Sequence, residues 1–291
     1  MAKSTVAFIG LGVMGFPMAG HLANAGHTTR VYNRTGSKAE KWATKYNGST
    51  HATPREAAEG ADFVLSCVGN DDDLRAIVYG DNGILIGLQD GATYVDHTTA
   101  SVGVAREIEK TVTDKGFGFL DAPISGGQAG AENGALTVMV GGAPETFAAA
   151  ESIMGTYAKA VTLMGDSGAG QLTKMANQIC IAGLVQGLSE GLNFAIKAGL
   201  DGKKVVNVIS KGAAGSWQME NRGNTMINNE FDFGFAVDWM CKDLGIALSE
   251  ASKNGSILPI TEIVNQYYIE IQKMGGGRWD TSSLIRRLTK L

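Results

Sequence analysis

Val6-Ala7-Phe8-Ile9-Gly10-Leu11-Gly12-Val13-Met14-Gly15 decides the fold. An apolar run of buried-strand character enters a GxGxxG turn, and Met14–Ala25, with apolar residues at helical spacing, leaves it. Each glycine has its own mechanical job in such a unit. Gly10 permits the tight turn, Gly12 lets the backbone approach a pyrophosphate, and Gly15 lets helix and strand pack closely. The helix N-terminus then faces the phosphates. Gly10, Leu11, Gly12, Val13, Met14 and Gly15 are therefore expected to hold a dinucleotide.

Outward from this stretch, short β-branched and apolar runs alternate with helical ones up to about Val161. Thr5–Ile9, Thr28–Tyr32, Phe63–Val68, Thr93–Asp96, Phe117–Ala122 and Leu136–Val140 read as strands, and Ser37–Tyr46 as a helix. Thr53-Pro54-Arg55-Glu56 reads as a capped helix start with proline in the first position. The alternation predicts an α/β domain over 1–165, a Rossmann-type doubly wound parallel sheet. Beyond Gly170 the strand signals vanish. Gln171–Ala198 is a helical pattern that spans about 40 Å at ~1.5 Å per residue, and its apolar neighbours predict a largely buried helix. Further helices are expected at about Lys203–Ser210, Trp217–Asn228, Asp238–Lys253 and Ile260–Lys273. The chain therefore reads as two domains, the second all-α over 166–291, joined by the long helix with no Pro/Ser-rich linker and no internal repeat.

Composition narrows the partners. With 44% hydrophobic and 19% charged residues among 291, the chain can bury real cores, which excludes a disordered or fibrous protein. The formal net charge is −4 and the basic residues are scattered, so neither nucleic acid nor an anionic membrane surface is an expected partner. Cys67, Cys180 and Cys241 form no CxxC pair and read as small buried apolar residues in a reducing compartment, which points to a cytoplasmic location. The N-terminus lacks the pattern of a signal peptide, and no apolar run reaches the ~20 residues needed to cross a bilayer. Glycine, at 40 residues, is about twice its usual ~7% and clusters where the backbone must come close to something.

At the end of the second strand an Asp or Glu would hold the ribose hydroxyls of NAD. This chain has Asn33-Arg34-Thr35 instead, so Arg34 is expected to pair a 2′-phosphate, with Asn33 and Thr35 adding hydrogen bonds. NADP is the favoured cofactor, with NAD still possible. Val68, Gly69 and Asn70 after the third strand, and Thr98 after the fourth, lie where such sheets place ligands. His97 has no carboxylate or nucleophile at a recognisable spacing and reads as structural. None of the four histidines has metal-ligand spacing to another His or Cys, and no metal is expected.

Ser125-Gly126-Gly127 follows a strand with a hydroxyl and two bare backbone amides, a loop able to cradle a carboxylate. Lys174, Asn177 and Gln178 stand at i, i+3 and i+4 on one face of the long helix. Burial of a lysine there lowers its pKa and suits it to acid/base work near neutrality.

Taken together these motifs resemble the β-hydroxyacid dehydrogenase family, which includes the 3-hydroxyisobutyrate dehydrogenases, tartronate semialdehyde reductases and glyoxylate/succinic semialdehyde reductases. The resemblance runs through Gly10–Gly15 with Pro17-Met18-Ala19, Asp121–Gly127, Gly134-Ala135-Leu136 to Gly141-Gly142, Gly168–Gln178 and Lys242-Asp243-Leu244. It implies a small carboxylated aldehyde or hydroxyacid as substrate, Lys174 as general acid/base, and Ser125, Gly126 and Gly127 on the substrate carboxylate. It further implies that Phe235 and Asp243 close over the substrate and that Lys242 lies near the cofactor. The family commonly has Asn four residues after the lysine, whereas here Asn177 precedes Gln178, as in tartronate semialdehyde reductases, so either amide could orient substrate. Two rivals stay open: an imine reductase, which usually carries Asp or Tyr where Lys174 stands, and a non-catalytic NADP-binding module. The long apolar helix leads us to expect a homodimer or homotetramer.

Overall fold

Side chains alternate strictly along β1 (Thr5–Ile9): Val6 and Phe8 enter one apolar core, Ala7 and Ile9 another. A strand buried on both faces is what a parallel sheet covered by helices on each side requires. The computed structural model describes residues 3–289. The chain divides into two compact units, Met1–Lys174 and Met175–Leu291.

In the first unit, β1 is followed by α1 (Gly15–Asn24), β2 (Thr28–Tyr32), α2 (Gly36–Lys45), β3 (Ser49–Thr50) and α3 (Pro54–Ala58). Next come β4 (Phe63–Ser66), α4 (Asp71–Tyr79), α5 (Ile84–Gly87), β5 (Thr93–Asp96), α6 (Val102–Thr113) and β6 (Gly118–Asp121). The unit continues through β7 (Ile124–Ser125), α7 (Gly127–Glu132), β8 (Leu136–Gly142), α8 (Pro144–Met154) and β9 (Ala158–Gly165). The strand order is β3-β2-β1-β4-β5-β6-β8-β7, with β9 beside β8. Met18 and Leu22 of α1, Trp42 of α2 and Ile153 of α8 share a core with Val6 and Phe8. Ala57 of α3, Leu74 and Val78 of α4 and Ile108 of α6 fill the opposite core. This is the doubly wound, Rossmann-like arrangement. Thr53 caps α3 as its sequence requires, its Oγ1 accepting the Glu56 N–H at 3.1 Å.

Two sheet expectations need correction. The sheet is mixed, because β8 runs antiparallel to β6 and β7. Three strands are also additional to those read from sequence. Ser49–Thr50 and Ile124–Ser125 have two residues each, too few for a periodic signal. Ala158–Gly165 is a sheet-edge strand with no fully buried residue, and Ala158, Val161 and Leu163 only partly cover the core, which leaves a weak apolar signal.

The long helix α9 (Ala169–Lys197) starts in the first unit and continues into the second. It is followed by α10 (Gly202–Ile209), α11 (Trp217–Ile227), α12 (Val237–Asn254), α13 (Pro259–Ile271) and α14 (Ile285–Thr289). Among the described residues the second unit has helices and no strand, with one isolated bridge, Ala236 to Asp280. Ala182 and Val185 of α9 join Met240 and Leu244 of α12 and Tyr268 of α13 in one core. Leu188 and Leu192 join Val206 of α10 and Met219 and Met226 of α11 in another.

Burial on α9 is confined to that stripe, so the expectation of a largely buried helix does not hold: Leu184, Phe194 and Ile196 are exposed. The helix also has an 18-residue window of mean hydropathy 1.4, long and apolar enough to cross a membrane by length and composition alone. Counting unbroken apolar runs misses it because single polar residues such as Gln178 and Gln186 interrupt each run. The cysteines are likewise less buried than expected: Cys180 is exposed, and Cys67 and Cys241 are half-buried.

Candidate active site

The three fingerprint glycines are distinguishable by what surrounds them. Gly10 has φ +96°, and a Cβ there would overlap the carbonyl oxygen of Cys67; a Cβ on Gly15 would overlap the carbonyl oxygen of Gly10. Both are therefore demanded by the chain itself. Gly12 differs, with no heavy atom within 4 Å of where a Cβ would stand. The α1 N-terminus beside it has no side-chain cap and no acid in its first turn. Open backbone beside a helix start with neither a side-chain cap nor an acid fits a dinucleotide pyrophosphate.

Asn33, at the end of β2, ties this loop down: its Oδ1 accepts the Leu11 N–H at 2.9 Å and its Nδ2 donates to the Thr35 carbonyl at 2.9 Å. Arg34 stands in solvent, 84% exposed, with its Nη1 2.8 Å from Asp73 Oδ1. Thr35 precedes α2 and makes no side-chain cap. Asn70 caps α4 by accepting the Asp73 N–H at 2.8 Å. Gly69 lies between Val68 and this cap. The Val68 N–H donates to Thr98 Oγ1 at 3.1 Å, linking the loops after β4 and β5. The cofactor candidates Gly10–Gly15, Asn33–Thr35, Val68–Asn70 and Thr98 thus all follow the carboxyl ends of neighbouring strands of one sheet.

Two acids that lie within the motifs read from the sequence, but are not among its named site residues, organise this rim. Asp96 and Asp121 are register partners at the ends of β5 and β6. Asp96 Oδ1 accepts from Ser66 Oγ at 2.7 Å and from Thr98 Oγ1 at 2.7 Å. Burial pushes its carboxyl up to about 7, against the hydrogen bonds that favour the charged form. Asp121 Oδ1 and Oδ2 accept the N–H groups of Gly168 and Gln171 at 2.7 and 2.9 Å, capping the start of α9 from the sheet; burial still pushes its carboxyl up to about 6. Asp96 ends one predicted strand and Asp121 stands one residue before the end of another, so both could have been flagged as polar residues in apolar runs. His97 is structural, as its isolation in the sequence implied. It is buried between the Ala122 carbonyl at 2.6 Å and the Tyr157 hydroxyl at 2.9 Å, and burial lowers its pKa to about 4.

Ser125 ends β7 opposite Thr137 of β8, and Gly126 and Gly127 follow with φ +132° and +61°. Those positive angles aim successive backbone amides in directions that L side chains disfavour. Lys174 lies on α9, one turn after Gln171, and is 6% exposed. Gln171 itself clamps the turn before it, donating from Nε2 to the Thr98 carbonyl at 2.8 Å and accepting the Ala100 N–H on Oε1 at 3.0 Å. Gln171 was missed as a functional residue, although it precedes Lys174 by three and so shares its helix face.

In the second unit, Asn177, Gln178, Lys242 and Asp243 form one cluster. Asn177 Nδ2 donates to Gln178 Oε1 at 2.8 Å, Gln178 Nε2 donates to Asp243 Oδ2 at 2.6 Å, and Lys242 Nζ lies 3.1 Å from Asp243 Oδ1. Phe235 is half-buried against the α12–α13 core, and its carbonyl accepts the Thr281 N–H at 2.9 Å.

Comparison with known proteins agrees with this arrangement. Residues 5–165 match the family model described as the NAD binding domain of 6-phosphogluconate dehydrogenase. Residues 168–288 match that described as the NAD-binding domain of NADP-dependent 3-hydroxyisobutyrate dehydrogenase. An uncharacterized oxidoreductase of Shewanella frigidimarina is 62% identical over 100% of this chain and 99% of its own length. The 2-hydroxy-3-oxopropionate reductase of Escherichia coli is 35% identical over 97% of this chain and 96% of its own. The structure of Mycobacterium tuberculosis 3-hydroxyisobutyrate dehydrogenase with L-serine superposes with a TM-score of 0.87 at 29% identity, covering 99% of each chain. Two family models matched in order along nearly the whole chain leave one conclusion: it belongs to the 3-hydroxyisobutyrate, or β-hydroxyacid, dehydrogenase family of NAD(P)-dependent oxidoreductases.

Proposed function

We propose that this chain reduces a small carboxylated aldehyde to the corresponding hydroxyacid with NADPH, and that Lys174 is its proton donor. The observation that carries the reading is the placement of Lys174. It is a buried lysine on the first turns of α9, where Asp121 holds the helix N–H groups and Gln171 holds the Thr98–Ala100 backbone. An ammonium fixed this way requires little reorganisation when an alkoxide forms beside it.

Bound NADPH supplies the hydride. The open backbone at Gly12 and the N-terminus of α1 hold its pyrophosphate, and Arg34 pairs its 2′-phosphate. Ser125 Oγ and the Gly126 and Gly127 amides hold the substrate carboxylate, which fixes the aldehyde carbon for attack. Lys174 Nζ donates a proton to the carbonyl oxygen as the carbon is reduced, and solvent returns that proton afterwards. Among aldehydes, 2-hydroxy-3-oxopropionate is the first choice, since the similar Escherichia coli enzyme carries that name and the Asn177-Gln178 order resembles that of tartronate semialdehyde reductases. A homodimer or homotetramer is part of the same proposal, supported by the exposed Leu184, Phe194 and Ile196 on α9; a monomeric mass in light scattering would reject it.

The test is NADPH and NADH oxidation against 2-hydroxy-3-oxopropionate, glyoxylate, succinic semialdehyde and methylmalonate semialdehyde, for wild type and Lys174→Ala. Turnover of a carboxylated aldehyde that falls by about 10²–10⁴ in the variant, with NADPH affinity retained, is the expected result. NADPH binding without reduction of any of the four overturns the reading.

A further inference from the structure

Asn177 and Gln178 are neighbouring amides on α9, and their hydrogen bonds give them different jobs. Gln178 is 1% exposed, and both ends of its amide are engaged. Its Oε1 accepts from Asn177 Nδ2 at 2.8 Å, while its Nε2 donates to Asp243 Oδ2 at 2.6 Å. Asp243, 5% exposed on α12, also has Lys242 Nζ 3.1 Å from Oδ1.

The direction of this string follows from the one member that cannot turn round. A carboxylate in an ion pair with a lysine only accepts, so Gln178 must turn its NH2 toward Asp243 and its oxygen the other way. Asn177 must then turn its NH2 toward Gln178, which turns its own oxygen, an acceptor, away from Gln178. A buried carboxylate beside a lysine thus fixes, through one glutamine, which atom of Asn177 is which. From this geometry we propose that Gln178 is a positioning residue that transmits the orientation of Asp243 to Asn177, and that Asn177 is the amide presented to substrate. The proposal rests on the reading above that Lys174 and its helix face carry the chemistry. It assigns Gln178 a different task from the substrate-contacting amide the family commonly has at that place.

The polarity of the string supplies the test. In Gln178→Glu the introduced carboxylate faces that of Asp243, and kcat/KM for 2-hydroxy-3-oxopropionate with NADPH should fall at least about tenfold. Adding Asp243→Asn reverses only the link between residues 178 and 243: the introduced carboxylate accepts from both flanking amides, and Asn177 keeps its NH2 turned toward residue 178. The double variant should recover to within about threefold of Asp243→Asn alone. A glutamine that itself touched substrate would not be rescued from a neighbouring helix, so a double variant no better than Gln178→Glu overturns the proposal.

A second cycle covers the case in which the charged variant fails to fold. Gln178→Leu should lower kcat/KM about tenfold in the wild-type background and less than twofold in Asn177→Ala, because a residue acting through Asn177 has nothing left to act on. Equal losses in both backgrounds overturn the proposal. An inactive wild type overturns the underlying reading and this proposal together. An active wild type with a dead Lys174→Ala and no rescue overturns this proposal alone.

Discussion

Asp121, at the carboxyl end of β6, accepts the backbone N–H of Gln171 at 2.9 Å, so the sheet caps the helix that bears Lys174. Its other oxygen takes the Gly168 N–H at 2.7 Å. In Asp121→Asn one of these donors must face an NH2 group. Leaving a buried donor unsatisfied costs about 1–3 kcal/mol. The variant should show a lower midpoint in urea unfolding, and a kcat reduced about tenfold or more as Lys174 loses its fixed turn. Unchanged kcat in a variant that still folds would separate this cap from the chemistry.

Arg34 is exposed and already paired with Asp73, so the proposed pairing with a 2′-phosphate would be a surface interaction, weakened by salt. Arg34→Ala should weaken NADPH binding about tenfold at low ionic strength and NADH binding less than threefold, with the gap narrowing as salt is added. Fluorescence titration of both cofactors at two salt concentrations reads this directly. Equal losses for the two would remove Arg34 from the 2′-phosphate.

Legibility in the sequence followed the range of the interactions. The Gly10–Gly15 turn was readable because backbone sterics act within a few residues: Gly10 and Gly15 meet atoms that any strand-turn-helix unit of this kind supplies. The helices α9 to α13 were readable within one or two residues at each end because their apolar periodicity is local, whereas the five-residue α14 is too short for such a signal and has no counterpart in the sequence reading. Lys174 and Ser125 stood out as polar groups in recognisable motifs. By contrast, Asp121 and Gln171 act on partners 50 and 71 residues away in the chain. Nothing near either residue announces that pairing. The antiparallel β8 was missed for the same reason, since strand direction is set by the path between strands and not by the composition of either.

Asp96 offers a pH measurement. Burial raises its carboxyl to about 7, whereas an unfolded aspartate titrates near ~3.9. Between these values the folded state holds a proton that the unfolded state has released. Stability contributed by this group is therefore present at low pH and lost as pH rises across roughly 4 to 7. Asp96→Asn cannot titrate and keeps an oxygen able to accept from Ser66 and Thr98. Urea unfolding at pH 4.5 and 7.5 should show wild type losing more stability than the variant over that interval. Parallel pH dependences in the two proteins would refute the shifted carboxyl.

Gly12 separates the requirements of the fold from those of the ligand. Alanine at Gly10 or Gly15 meets backbone oxygen, so those variants are expected to fold poorly or not at all. Alanine at Gly12 has open space within 4 Å and no positive φ to resist it, so the protein should fold with an unchanged thermal midpoint. The added methyl would nevertheless stand where a pyrophosphate approaches the α1 N-terminus. NADPH and NADH affinities should therefore both fall, by about tenfold or more, because the pyrophosphate is common to the two cofactors, whereas the 2′-phosphate proposed to pair with Arg34 is not. A Gly12→Ala protein that is stable and binds both cofactors normally would show that the dinucleotide does not use this turn. A stable protein that loses both would locate the pyrophosphate there independently of any effect on turnover.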